Sequence, residues 1–182
     1  MHTLNLRGKL YPLDEPQIMG ILNVTPDSFF AESRTSDDEQ IAARVKQMMD
    51  EGADMIDIGG YSSRPGADDV SPQEEMERLR RGLRIVRKLY PNVPISVDTF
   101  RADVARMCIE EEGADLINDI AAGMMDRQMF KTVARLGVPY IMMHMQGTPE
   151  TMQLDPHYNN LRREVMLYFA ERIDRLCQMG AK

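Results

Sequence analysis

The sequence contains no tryptophan and only two cysteines, Cys108 and Cys177. Two thiols so far apart, with no C-x-x-C spacing, build neither a disulfide framework nor a cysteine-rich zinc site. Both are expected as small buried hydrophobes in a reducing compartment. Long apolar runs are missing as well, and the opening "MHTLNLRGKLYPL" lacks the basic-then-apolar form of a secretion signal, so the expected location is cytoplasmic. Basic residues are in deficit: 22 Lys and Arg against 29 Asp and Glu leave a formal charge of -7. No basic stripe neutralises a phosphate backbone or an anionic leaflet, so neither nucleic acid nor membrane is an expected partner. A small anion needs only a few local arginines. The three histidines, His2, His144 and His157, form no HxH or HExxH pattern, which argues against a zinc held by protein ligands.

What is present suits one globular domain over 1–182: a hydrophobic fraction of 43% and a length within the single-domain range. Most of the 16 methionines read as flexible core filler. "TLNLRGKLYPL" alternates apolar and polar residues around Arg7-Gly8-Lys9, which predicts a short β-hairpin. Strands and helices then take turns. "QIMGILNV", "DMIDIGG", "VPISVDT", "DLINDIA" and "VPYIMMHM" read as strands. The intervening helices are "DDEQIAARVKQMMDEGA", expected to open on an Asp cap, then "SPQEEMERLRRGLRIVRKLY", "RADVARMCIEEEGA" and "DRQMFKTVARLG"; "NNLRREVMLYFAERIDRLCQMG" closes the series. The second of these has a Ser cap, Pro in its first turn and Glu residues near the positive end of its dipole.

Such alternation gives a parallel sheet with right-handed crossovers. Length favours an open doubly wound sheet, because a full barrel of eight units takes about 250 residues. The strand ends favour a barrel. Asn23, Gly59-Gly60, Asp98-Thr99, Asn118-Asp119 and His144 end the five strands in turn, and a closed ring is the geometry that makes all such ends converge. The expected fold is an α/β, TIM-type (β/α) barrel, incomplete here, with about five βα units after the hairpin.

Several groups could carry chemistry. Asn23 either holds a loop backbone or offers a neutral oxygen to a hard cation. In "GGYSSRPGA" two glycines allow close approach, hydroxyls follow, and Arg64 supplies a planar fork for phosphate oxygens; the lack of GxxxxGK[ST] excludes a P-loop. Asp98 either accepts two hydrogen bonds from an N-C-N edge, such as that of a pterin or guanine, or caps the helix beginning near Arg101. Asn118 and Asp119 pose the same choice. His144 reads as a hydrogen-bonded structural histidine, since no Ser-His-Asp arrangement surrounds it.

Taken together, "MGILNVTPDSFF", "IDIGGYSSRPGA", "ISVDTFRADVA", "LINDIAAG" and "MMHMQGTPETMQ" resemble dihydropteroate synthases, in the family's order and over nearly the whole chain. The resemblance implies condensation of 6-hydroxymethyl-7,8-dihydropterin diphosphate with 4-aminobenzoate to give 7,8-dihydropteroate and diphosphate, with Mg2+ as cofactor. It further implies that Asp98, Asn118, Ile120 and Met143 bind the pterin, and that Asn23, also the metal ligand, acts catalytically with Ser63 and Arg64. Thr25, Pro26, Asp27, Ser28, Phe29 and Pro65 would belong to two substrate loops. Family members are expected to be homodimers when full-length. A pterin-binding methyltransferase is the alternative enzyme. A non-catalytic pterin-binding fragment is the alternative of another class.

The sequence departs from the family pattern at Tyr61, where Glu is common, at Ser63, where Thr is usual, and at Phe100-Arg101, where Ser-Lys is more usual. It ends at "CQMGAK", where the family continues into a strand with Asp-Pro-Gly-Phe-Gly. On this reading the barrel is truncated at its C-terminus, and the 182 residues alone are expected to be inactive, with uncovered strand edges and apolar helix faces that predict poor solubility or compensating association.

Overall fold

The structure, a computed structural model, describes residues 2–25, 34–61, 70–149 and 151–181. A two-stranded antiparallel hairpin comes first, β1 (Thr3–Leu6) and β2 (Lys9–Pro12), in register from Thr3 opposite Pro12 to Leu6 opposite Lys9. Its turn places Arg7 and Gly8 at φ 50° and 82°, the left-handed pair that a tight two-residue hairpin turn requires.

Five parallel strands follow: β3 (Met19–Asn23), β4 (Met55–Gly59), β5 (Ile95–Asp98), β6 (Leu116–Asp119) and β7 (Tyr140–Met142). Between and after them run α1 (Arg34–Asp50), α2 (Pro72–Leu89), α3 (Ala102–Glu110), α4 (Met129–Leu136) and α5 (Leu161–Gln178). The sheet order is β3-β4-β5-β6-β7, each strand beside its predecessor. That order settles the architecture. A doubly wound sheet reverses direction at a switch point, whereas a barrel wall advances one strand at a time. The protein is an incomplete TIM-type (β/α) barrel of five units, as the converging strand ends predict.

Packing follows the pleat. Leu22, Ile58, Val97 and Ile117 stand side by side on one face, with Ile56 and Ile95 a level below, and all six are essentially inaccessible to solvent. They meet Val45 and Met48 of α1, Leu79, Leu83 and Val86 of α2, Val104 and Cys108 of α3, and Val133 of α4. The other face lines the barrel interior, where Ile21 and Ile141, on the two strands at the ends of the sheet, remain exposed. Among the described residues no helix is long and apolar enough to cross a membrane.

Some local expectations hold. Ser71 accepts a hydrogen bond from Glu74 N (3.2 Å) at the start of α2, with Pro72 in the first turn. Others are corrected. Helix α1 begins at Arg34, so Asp37 lies inside its first turn and does not cap it. Helix α4 is shorter than its pattern because Asp126 is used elsewhere: its carboxylate caps α3, accepting from Ala102 N (2.8 Å), and also accepts from Gln128 N (2.8 Å). Cys108 is buried, but Cys177 is exposed, because the face of α5 that reaches the core does so through Leu176.

Asp115 ties the hairpin and α2 to the base of the sheet. It accepts from Arg7 Nε (2.5 Å), Arg87 Nη2 (2.6 Å) and Ile95 N (2.8 Å), with only 2% of its side chain exposed. Arg87 also donates to the carbonyls of Val93 (2.5 Å) and Gly113 (2.7 Å). Asp115→Ala should therefore lower the free energy of unfolding in a denaturant titration by about 3–5 kcal/mol, since it strands a buried guanidinium. Arg7→Ala, at a side chain half open to water, should cost less than about 1 kcal/mol. Equal losses would refute the ranking.

Candidate active site

At the C-terminal ends of the strands one hydrogen-bonded row runs Asn23, Gly59, Asp98, Asn118. Alternation turns these residues away from the helices and into the barrel interior. Gly59 matters by its missing side chain: a Cβ there would stand 3.4 Å from Asn23 Oδ1 and 3.6 Å from Asp98 Oδ2. An amide oxygen and a carboxylate oxygen thus flank Gly59 at contact distance from the place a side chain would fill.

A level below, on the same face, lies Asp57, paired with Ile21 and Ser96. It is 6% exposed; one oxygen accepts from Asn118 Nδ2 (3.1 Å), and among the described residues Oδ1 has no partner. Asn118 therefore commits one amide proton inward, which leaves its oxygen free to accept another hydrogen bond. Asp57 was not singled out in the sequence. Its signal was there: an acid in the middle of "MIDIG", a strand buried at every position, is too costly to keep without a use.

Asp98 does not cap α3. The capping position belongs to Arg101, and Asp126 supplies the carboxylate. Burial, with Asp57, Asp119 and Glu75 nearby, pushes the Asp98 carboxyl up to about 7. Burial also raises Asp57 and Asp119. Asp119 has a different task from Asn118. Fully buried, it accepts from Ala121 N and Gly123 N (both 2.8 Å) and Tyr140 Oη (2.5 Å), holding a turn in which Ala122 takes φ 46°. That turn sets the half-buried Ile120 just beyond the row.

Met143 follows β7, its N–H donating to Asp119 O (3.2 Å) and its carbonyl accepting from Tyr168 Oη (3.2 Å). The structure thus gathers Asn23, Asp98, Asn118, Ile120 and Met143 at one end of the sheet. Thr25 is buried just past β3. Pro26, Asp27, Ser28, Phe29, Ser63, Arg64 and Pro65 lie outside the described residues. His144 is structural, but through rings: its imidazole packs against Tyr158, Tyr168 and Phe169, with centroids 5.7, 4.5 and 6.4 Å away. A cleft of about 1190 Å3 near the N-terminal ends of the strands is lined by Leu13, Met19, Met55 and Pro139 together with Asp14 and Glu15, and none of the rim residues Asn23, Asp98 and Asn118 reaches it.

A barrel wall that collects amides and carboxyls whose pKa burial raises at its C-terminal rim defines a ligand site of the barrel-enzyme type. A model described as pterin binding enzyme matches residues 19–182, and the chain belongs to that family. It is 41% identical over 179 residues to the dihydropteroate synthase of Haemophilus influenzae, covering 98% of this chain and 64% of that protein. With the folic acid synthesis protein fol1 of Schizosaccharomyces pombe it shares 43% identity over 163 residues, 89% of this chain and 22% of that protein. The Yersinia pestis dihydropteroate synthase in a sulfonamide drug complex matches with TM-score 0.85 and 38% identity, over 100% of this chain and 65% of that one. The Xanthomonas albilineans dihydropteroate synthase with 4-aminobenzoic acid matches equally well, at 0.85 and 38%, over 99% and 63%. The chain therefore spans just under two thirds of the Haemophilus protein and of both solved chains.

The raised carboxyl has a measurable sign. Folded Asp98 holds its proton up to about 7, while the unfolded side chain releases it at its ordinary 3.8. Between those values the folded state binds more protons, so stability falls as pH rises through that window and levels off above it. Asp98→Asn should flatten this decline in denaturation midpoints measured from about pH 4 to 8. An unchanged slope would show that Asp98 ionises normally.

Proposed function

We propose that the protein is a dihydropteroate synthase. It would join 6-hydroxymethyl-7,8-dihydropterin diphosphate to 4-aminobenzoate and release diphosphate. The observation that carries this reading is the Asp98–Asn118 pair beside the Gly59 gap, within a chain of the pterin-binding family. A carboxylate accepts two parallel hydrogen bonds from an N-C-N edge, and Asn118, with one amide proton held by Asp57, presents its oxygen to a ring N–H. A ligand that brings donors favours the ionised form of Asp98 and draws its pKa down on binding. Ile120 and Met143 would supply apolar walls.

Condensation needs the carbon–oxygen bond to the diphosphate to break, the amine nitrogen to bond to that carbon, and an ammonium proton to leave to water. Positioning and charge stabilisation suffice, without a protein nucleophile. Among the described residues no three His, Cys, Asp or Glu side chains gather to hold a metal. The donor set fits magnesium nonetheless, because this ion is commonly held by few protein oxygens together with substrate phosphates. Asn23 would hold it through Oδ1, and the ion would neutralise charge on the departing diphosphate. Asn23 adds no negative charge there, and Arg64 with Ser63 would bind the phosphate oxygens. This reading extends to a cytoplasmic protein whose complete form is a homodimer; the free thiols Cys108 and Cys177 support a reducing compartment.

The sheet here is open between β3 and β7, so these 182 residues present the pterin end of the site without a closed ring. Calorimetry should detect binding of the pterin diphosphate with magnesium. Asp98→Ala should weaken it by roughly 10- to 100-fold, equivalent to about 1.5–3 kcal/mol for hydrogen bonds to a charged group. Added 4-aminobenzoate should give little diphosphate release from this chain. Rapid release would refute its incompleteness, and absence of pterin binding, or methyl transfer from a methylated folate, would refute the synthase reading.

A further inference from the structure

Three positions at which the sequence departs from the family pattern, Tyr61, Phe100 and Arg101, come together in space. The Arg101 guanidinium carbon lies 5.1 Å from the centre of the Tyr61 ring and 5.0 Å from that of Phe100. The two rings meet edge to face, 5.2 Å apart at 87°. Arg101 is anchored from below by an ion pair with Glu75 of α2, a carboxylate with no exposed surface. The other oxygen of Glu75 accepts from Thr99 Oγ1 (2.7 Å), and that hydroxyl in turn accepts from Arg101 N (3.2 Å).

We propose that Arg101 is a positioning residue for the end of β4, holding the Tyr61 ring with its guanidinium and thereby fixing Gly60 against α2 and Gly59 between Asn23 and Asp98. The proposal rests on the synthase reading for its functional consequence. Its geometric premise does not.

The physical case starts from Glu75. A carboxylate so buried is tolerable only when its oxygens are paired, and Thr99 and Arg101 do this from the turn after β5. Once held there, the guanidinium lies within the roughly 6 Å at which a cation is attracted to an aromatic face, and it reaches two such faces at once. Gly60 is pinned from the other side: its carbonyl accepts from Arg78 Nη1 (3.2 Å), and a Cβ there would come within 3.0 Å of Leu79 Cγ and 3.1 Å of Glu75 O. The backbone after Gly59 is thus gripped by α2 at Gly60 and by the β5–α3 turn at Tyr61. Both grips meet at Glu75. Because the Gly59 gap is bounded by oxygens of Asn23 and Asp98, a shift of Tyr61 would be felt where the ligand sits.

Arg101→Ala would strand Glu75 and risk unfolding, so the test uses Arg101→Lys, which keeps the charge and loses the planar fork that stacks on rings. Tyr61→Leu removes the aromatic face, and Tyr61→Phe restores it. Since the sequence has no tryptophan, Tyr61→Trp places a single indole at the grip. In the 182-residue chain, with melting curves confirming folding, Arg101→Lys and Tyr61→Leu should each weaken pterin diphosphate binding about three- to tenfold, the scale of a partly desolvated cation–ring contact. Tyr61→Phe should bind like the parent. In the Tyr61→Trp variant, the emission maximum of the indole and its quenching by iodide should shift when Arg101→Lys is added. Unchanged affinity together with unchanged emission would overturn the proposal. If the parent chain binds no pterin diphosphate, the synthase reading fails and emission alone decides: a shift supports the grip, and no shift overturns it.

Discussion

Everything at the polar rim depends on the register of the five parallel strands. Asn23, Gly59, Asp98 and Asn118 lie 20 to 39 positions apart in sequence, yet they share one row because each strand pairs with the next at matching height. A slip of one residue in any strand would exchange its faces, sending Leu22 or Val97 into the interior and Asn23 or Asp98 against the helices. The apolar row of Leu22, Ile58, Val97 and Ile117 guards against this. Its burial beneath α1 to α4 is the hydrophobic counterpart of the polar row one residue away.

The same register creates an electrostatic difficulty. Asp57, Asp98 and Asp119 sit on three successive strands, the first and last buried and Asp98 half-buried, each with its carboxyl raised. Asp119 is satisfied within the protein by two backbone N–H groups and Tyr140. Asp57 is half satisfied, and Asp98 is left to whatever enters. Three adjoining strands thus carry three differently satisfied carboxyls, with the least satisfied, Asp98, on the middle one. The difference distinguishes residues that look alike in sequence, and it suits a ligand rich in N–H donors.

Helix α2 links this rim to the rest of the fold. Through Arg87 it reaches Asp115 and the hairpin at the base, and through Glu75 it reaches Thr99 and Arg101 at the rim. Two buried acids, Glu75 within α2 and Asp115 held by Arg87 at its far end, thus tie this helix to both ends of a sheet that is open at β3 and β7.

Much of this was legible in the residues themselves. The alternation of short apolar runs with capped helical patterns determined the parallel sheet, the hairpin and the Ser71 cap, because these depend on local periodicity and side-chain donors. The convergence of polar groups at strand ends pointed to a barrel. Other features could not be read locally. Whether Asp98 caps a helix turned on Asp126, 28 positions further on, taking that role and leaving Asp98 toward the barrel interior. That Asn118 faces the barrel interior while Asp119 holds the turn after β6 was decided by which face of β6 each occupies. The importance of Asp57, and the meeting of Tyr61, Phe100 and Arg101 over Glu75, arose only from strands and helices brought together by packing. Sequence decides what each segment prefers and which groups it carries; only the fold decides which of those groups lose water and find one another.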